Sequence, residues 1–165
     1  MNMVRYKIDR IDQKILTFLI ANARMPFLEI ARECGISGAA IHQRVKKLED
    51  AGIIVGSRLE VDPKALGHDV CAYIGIRVSE ANMFNSVIDS LKNIPEVVEC
   101  HYITGKFSLF IKLYCRDNDE LRNFMTNTLY SIPGISMTET FFSLNQEFER
   151  QVNVSTVNVS QKRNK

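Results

Sequence analysis

The sequence predicts an α+β chain in which a small helical unit precedes a single sheet. Two observations carry that reading. Residues 9–52 hold three short stretches of helical periodicity separated by turn residues. Residues 70–144 then read strand-helix-strand twice, and the repeat is visible in the letters. "LKNIPEV" at 91–97 and "LYSIPGI" at 129–135 share the pattern L-x-x-I-P-x-[VI], 38 residues apart.

The first helix is expected over 9–23, "DRIDQKILTFLIANA", where Ile11, Ile15, Phe18 and Leu19 fall at helical spacing. Asp9 suits the N-cap, and Asp12 places negative charge in the first turn. Pro26 opens a second, short helix, "PFLEIAREC", which Gly35 ends and in which Ala31 allows close approach. Ser37 can cap a third helix running to about Ala51, with Gly52 in the C′ position. Two helices joined by a short glycine-containing turn form a helix-turn-helix. After it, Ile53 to Val55 reads as a strand that resumes near Leu59, giving a winged unit, and Pro63 and Gly67 break the connector.

The third helix separates its faces sharply. At about 100° per residue, Ile41, Val45 and Leu48 share one narrow stripe that must be buried. Opposite lie Ala39, Gln43, Lys46 and Asp50, flanked by His42 and Lys47. The small residues Ser37, Gly38 and Ala39 at its start would let the helix sit deep in a DNA major groove. Gln43 can pair with adenine through its amide, and His42 can donate to base-edge acceptors. Arg44, Lys46 and Lys47 can neutralise phosphates. The alternative is a merely solvated face; the short second helix, the glycine turn and the small-residue start favour DNA.

In the back half, Val70, Ala72, Ile74, Ile76 and Val78 alternate along one strand, and Leu109, Ile111, Leu113 and Cys115 along another. Helical patterns follow at Met83, Phe84, Val87, Ile88, Leu91 and at Leu121, Phe124, Met125, Leu129, with further strands near 97–104 and 136–144. The order βαββαβ is the split ferredoxin-like unit, and right-handed crossovers put both helices on one sheet face. The other face is expected to carry Cys71, Tyr73, Gly75, Ser108, Phe110, Lys112 and Tyr114. It is too apolar for a solvated surface, so a second copy of the chain is its expected cover, as a symmetric homodimer. "YITGKFSLF" (102–110) reads as a tight hairpin centred on Gly105, whose backbone N–H groups can hold a carboxylate.

Composition agrees with this organisation. At 45% hydrophobic and 24% charged residues over 165 positions, the chain is ordinary globular material. No apolar run approaches the ~18 residues of a spanning helix, and the N-terminus lacks a signal-peptide core, so a cytoplasmic place is expected. Cys34, Cys71, Cys100 and Cys115 are scattered without metal-ligand spacing, so neither disulfides nor a metal are expected. Residues 1–66 carry 11 Lys/Arg against 8 Asp/Glu, residues 67–150 carry 7 against 11, and the tail 151–165 carries 3 against none. That asymmetry suggests two domains with different partners, the basic front half facing a polyanion; with the elements above, the expected division is a DNA-binding domain at 1–55, a connector at 56–66, a dimerisation domain at 67–150 and a mobile basic tail at 151–165. The sequons at Asn153 and Asn158 have no meaning in the cytosol.

The runs "IDRIDQKIL", "ARMPFLEIARECGIS", "RVKKLEDAGII" and "TGKFSLFIKL", in this order from about Ile8 to Leu144, resemble the Lrp/AsnC (feast/famine) transcription regulators. The resemblance implies a DNA-binding domain on the nucleoid, an amino-acid-sensing domain that dimerises, assembly to an octamer, and an effector held near the T-G hairpin. "GHDVCAYIGI", "TGKFSLFIK" and "YCR", with Ser108 where the leucine-responsive branch usually has Asp, look closer to the asparagine-responsive branch. Asparagine is therefore the first ligand expected. Thr104, Gly105, Lys106, Phe107 and Ser108 would supply its donors, and Thr138, Glu139 and Thr140 an acceptor. Two rivals stay open: an enzyme on the ferredoxin-like sheet, although no nucleophile–base set is apparent, and a metabolite-binding module that does not bind DNA.

Overall fold

The computed structural model describes residues 6–156. The chain forms two compact units: one made by the chain up to Leu59 together with the chain from Glu149 onward, the other by Glu60–Phe148.

In the first unit, helix α1 spans Arg10–Ala21. The Asp9 carboxylate accepts from the N–H groups of Ile11 and Asp12, while that of Asp12 accepts from Asp9 N–H, a reciprocal capping box. Helix α2, Phe27–Cys34, starts after Pro26 and stops at Gly35, whose φ of 67° is left-handed and closes the helix without a Cβ penalty. Ser37 Oγ accepts from Ala40 N–H at 3.2 Å and starts α3, Gly38–Asp50. Ile15, Ile30, Ala31, Ile41 and Val45 close the core between the three helices.

The strands expected at Ile53–Val55 and near Leu59 are not paired into a ladder among the described residues. Residues 53–69 hold no ladder, and Val55, Leu59, Val61 and Leu66 stay exposed. Apolar alternation supplies only one side of a strand; the hydrogen-bonded neighbour must come from elsewhere. Within the expected tail, Val154–Thr156 forms a 3₁₀ turn against α1. Residues 157–165 lie outside the described residues.

The second unit is one antiparallel sheet of β1 (Val70–Val78), β2 (Val97–Tyr102), β3 (Leu109–Cys115) and β4 (Ile135–Ser143) in the order β2-β3-β1-β4. Helix α4 (Phe84–Lys92) and helix α5 (Asn118–Asn123) pack on one face. Ala72, Ile74, Ile76, Leu109, Ile111 and Leu113 face these helices, and each is fully buried. The helical stretch after β3 is not one straight helix. It passes through a π turn at Phe124–Thr128 and a 3₁₀ turn at Leu129–Ser131. Bonds spaced five residues apart bring Phe124 and Leu129 to the same side, and both are buried. The repeated motif also diverges for a steric reason. Gly134 stands where the first copy has Glu96, at φ 94°, and a Cβ there would fall 2.8 Å from Met83 Cβ.

The opposite sheet face carries a row of rings. Tyr73 stacks on Phe110 at 5.9 Å between centroids, and Phe110 tilts against Phe141 at 6.1 Å. Lys112 is 7% exposed on this face, its Nζ 3.5 Å from Glu99 and over the rings of Tyr73 and Tyr114. Burial alone would lower its pKa, but the Tyr114 hydroxyl and the charge of Glu99 outweigh burial and raise it.

Candidate nucleic-acid interface and effector loop

Helix α3 buries Ile41, Val45 and Leu48 and exposes Ser37, Ala39, His42, Gln43, Lys46 and Lys47, with Gly38 half-buried beside Leu28. Its outward groups are only loosely engaged. Lys46 reaches Asp50 at 3.4 Å, an exposed i,i+4 pair worth a few tenths of a kcal/mol. No carboxylate lies within ion-pair distance of Lys47 among the described residues. The His42 ring packs edge-on against Phe27, 4.6 Å between centroids, which fixes its plane while its residue stays exposed.

Arg44 departs from its expected role at a phosphate. Its Nη1 donates to Asp9 Oδ2 at 2.8 Å and Asp12 Oδ1 at 2.7 Å, and Asp12 is only 1% exposed. Position 44 belongs to the buried stripe itself, three residues after Ile41 and four before Leu48, so its side chain leaves α3 towards α1. That spacing was the available signal. Burial alone would raise the Asp9 carboxyl, but the Asp12 N–H and the Arg44 guanidinium outweigh it and hold Asp9 below its ordinary 3.8.

The second predicted site is a six-residue loop, 103–108, longer than the tight hairpin expected. Ser108 N–H donates to Ile76 O at 2.8 Å and Ile103 N–H to Ser108 O at 3.0 Å, pinning both ends of the loop. Ser108 Oγ accepts from Val78 N–H at 3.4 Å. Gly105 adopts φ 120°, and no backbone carbonyl accepts from the N–H of Thr104, Gly105, Lys106 or Phe107 among the described residues. The loop is held by two residues that sequence reasoning missed as site residues. Arg77 donates through Nε and Nη2 to Lys106 O at 3.2 and 3.1 Å. Gly75 lies beneath the Phe107 ring, where a Cβ would sit 2.4 Å from Cδ2. An isolated glycine inside a strand pattern is the sequence mark of such a close approach.

The three acceptor candidates on β4 do not act together. Glu139 pairs with Gly75 on the ring-bearing face and forms an ion pair with Lys106. Thr138 and Thr140 pair with Ile76 and Ile74 and so lie on the helix-covered face, where Thr140 reaches Met125 Sδ. Neighbouring strand residues alternate faces, so only Glu139 can join the loop. Among the described residues no cluster of three His, Cys, Asp or Glu is placed to hold a metal. Two surface hollows, about 410 Å³ beside Glu96, Asp117 and Glu120 and about 250 Å³ beside His68, Asp69 and Tyr114, include none of the predicted site residues.

Comparison with known proteins agrees with both halves. Residues 8–55 match a family model described as winged helix-turn-helix DNA-binding, and residues 71–152 one described as the Lrp/AsnC ligand binding domain. The chain is 41% identical over 150 residues to the regulatory protein AsnC of Escherichia coli (strain K12), covering 91% of this chain and 99% of that one. It is 33% identical to the HTH-type transcriptional regulator FL11 of Pyrococcus horikoshii, over 86% of this chain and 92% of that protein. The solved structure of E. coli AsnC superimposes with a TM-score of 0.85 at 40% identity, covering 90% and 99% of the two chains. A transcriptional regulator from Neisseria meningitidis, solved as an L-Met complex, gives 0.82 at 25% identity, covering 87% and 94%. A chain with this pair of units is a DNA-binding transcriptional regulator carrying a ligand-binding domain, and its relatives are named regulators rather than enzymes. It belongs to the Lrp/AsnC family. No helix among the described residues is long and apolar enough to cross a membrane.

Proposed function

We propose that the chain reads a specific duplex through α3, in the cytoplasm on the nucleoid, and answers to a small amino acid held at loop 103–108, asparagine being the first to test. The observation that carries the DNA reading is the division of α3. One side is buried and tied to α1, and the other presents Gln43, Lys46 and Lys47 to solvent behind a start of small residues. The domain boundaries we propose are 1–55 for DNA binding, 56–66 for the connector and 67–150 for sensing and dimerisation. Ser37, Gly38, Ala39 and His42 complete the proposed reading surface.

Binding measured against salt tests this reading. Lys46→Ala is expected to weaken binding to every sequence and flatten the log–log salt slope by about 0.9. Gln43→Ala is expected to leave the slope intact and relax preference at one base pair per half-site, a change of about 1–3 kcal/mol in discrimination. Two folded variants that both bind like wild type would remove α3 as the reader.

For the effector, the loop offers N–H donors unused by the backbone ladder, the Thr104 and Ser108 hydroxyls, and Glu139 close to Lys106. A neighbouring subunit is the natural source of the remaining ligands and the route to an octamer. The dimer reading rests on the Tyr73, Phe110 and Phe141 row, with Phe141 43% exposed at its edge. In a symmetric pair, Phe110→Asp would set apolar surface against carboxylates. It is expected to sediment as a monomer at micromolar concentration, and a dimer of unchanged stability would overturn the sheet-to-sheet assignment.

A further inference from the structure

Helix α2 turns one large apolar side chain to solvent. Ile30 and Ala31 bury its inner stripe, with Phe27 and Cys34 half-buried beside them. Leu28 lies on the outward side, with the exposed Arg32 one turn later. It is 68% exposed, more than any other large apolar residue on α1, α2 or α3. A single exposed leucine is ordinary on a protein surface, but this one has a telling neighbour. A Cβ at Gly38, the first residue of α3, would fall 3.3 Å from Leu28 Cδ2, so the leucine abuts the start of the proposed reading helix. One turn further along α3, the His42 ring meets Phe27. The flank of α3 that carries positions 38 and 42 is therefore lined by the first two residues of α2.

The start of α3 has little reach of its own. In a helix-turn-helix it is the N-terminal residues of the second helix that meet base edges. Here those residues are Gly38, Ala39 and Ala40, which offer at most a methyl group. Leu28 occupies the corner that a side chain at position 38 would take, so the longer reach at that corner comes from α2. Its chemistry limits what it can recognise. A leucine side chain neither donates nor accepts a hydrogen bond, and among the base-edge groups of the major groove only the thymine C5-methyl is apolar. Against any other edge it would cover a polar group without pairing it, which is unfavourable.

We propose that Leu28 is a specificity-determining residue of the DNA-binding unit, set against the C5-methyl of one thymine per half-site. It adds a preference for T·A at a position that the polar side chains of α3 do not read. Gly38 is the partner that makes room for it. The assignment rests on the DNA-reading role proposed for α3.

The test uses full-length protein and a duplex selected from a random pool by the wild type. Each thymine is replaced singly by uracil, which keeps every hydrogen-bonding group and removes only the methyl. Wild type is expected to lose about fourfold in affinity at one thymine per half-site, the worth of one buried methyl group. Leu28→Ala is expected to bind the parent duplex about fourfold more weakly, to show no penalty for uracil at that position, and to keep the wild-type salt slope. A wild type indifferent to uracil at every thymine would overturn the assignment without recourse to any variant. So would a Leu28→Ala protein that keeps the wild-type uracil penalties. The two readings fail separately. If Gln43→Ala relaxes its base pair while Leu28→Ala leaves the uracil penalties unchanged, the leucine alone is wrong. If Leu28→Ala removes a penalty while Gln43→Ala and Lys46→Ala bind like wild type, the leucine contact stands and the outward face of α3 is not the reader.

Discussion

Arg44→Ala is expected to destabilise the helix-turn-helix unit by about 2–3 kcal/mol while leaving the salt slope of DNA binding unchanged. Removing one partner of a buried ion pair costs about 3–5 kcal/mol because the other charge is stranded. The lower figure applies here because the Arg44 side chain is 28% exposed and water can reach part of the site. The stranded group is Asp12, 1% exposed and left with the Asp9 N–H and the Tyr6 hydroxyl as donors. A loss of that size is a large share of the 5–15 kcal/mol of an ordinary domain. Urea unfolding followed on the helical signal measures it. Arg44→Lys should recover part of the loss, since an ammonium restores the charge but not the fork that spans both carboxylates.

The same tie sets an acid limit. Asp9 titrates below its ordinary 3.8 in the folded unit, so its contribution is fully present above that value and is lost as pH falls through the lower folded value. Acid unfolding of wild type should therefore steepen below the ordinary aspartate range, and Arg44→Ala should remove part of that steepening. If Arg44→Ala instead flattens the salt slope with stability intact, the guanidinium is a phosphate contact and the internal tie is secondary.

Gly75→Val is expected to cost about 1–3 kcal/mol and to abolish effector binding. The added Cβ would meet three ring atoms of Phe107 between 2.4 and 2.7 Å, so the ring must leave the sheet. Overpacking of that kind carries the stated cost when neighbours are forced from their rotamers. Phe107 lies between Lys106, whose carbonyl Arg77 holds, and Ser108, whose N–H bonds Ile76. Expelling the ring therefore displaces the N–H groups proposed to bind the carboxylate. Calorimetry with asparagine and a panel of other amino acids reads the effect. DNA binding at low salt should persist, because α3 belongs to the other unit. Wild-type amino-acid affinity in Gly75→Val would remove loop 103–108 as the effector site.

Much of the fold was legible because its signals are local. Asp9, Pro26, Gly35 and Ser37 mark helix ends through hydrogen bonds and φ angles that involve only a few neighbouring residues. Alternation along 70–78 and 109–115 named the faces of β1 and β3, and the L-x-x-I-P repeat announced two strand-helix-strand units. The same locality explains the errors. Ile53–Val55 has strand letters but no ladder, since alternation does not provide a neighbour. Thr138, Glu139 and Thr140 are contiguous in sequence, yet the pleat sends Glu139 to one face and the two threonines to the other.

What the sequence by itself determined is the order of the elements, the buried stripe of α3 and the outward presentation of Gln43, Lys46 and Lys47. Each follows from a period of 3.6 or 2 that any short window reveals. Tertiary structure alone decided that Arg44 turns inward to Asp12, that Phe107 roofs Gly75 and that Val154 seats on Gln13. The first two join residues 32 positions apart and the third residues 141 apart. No periodicity reports such pairs, because which distant groups meet depends on how the completed helices and sheet pack, and only then does a charge find its counter-charge or a ring its glycine.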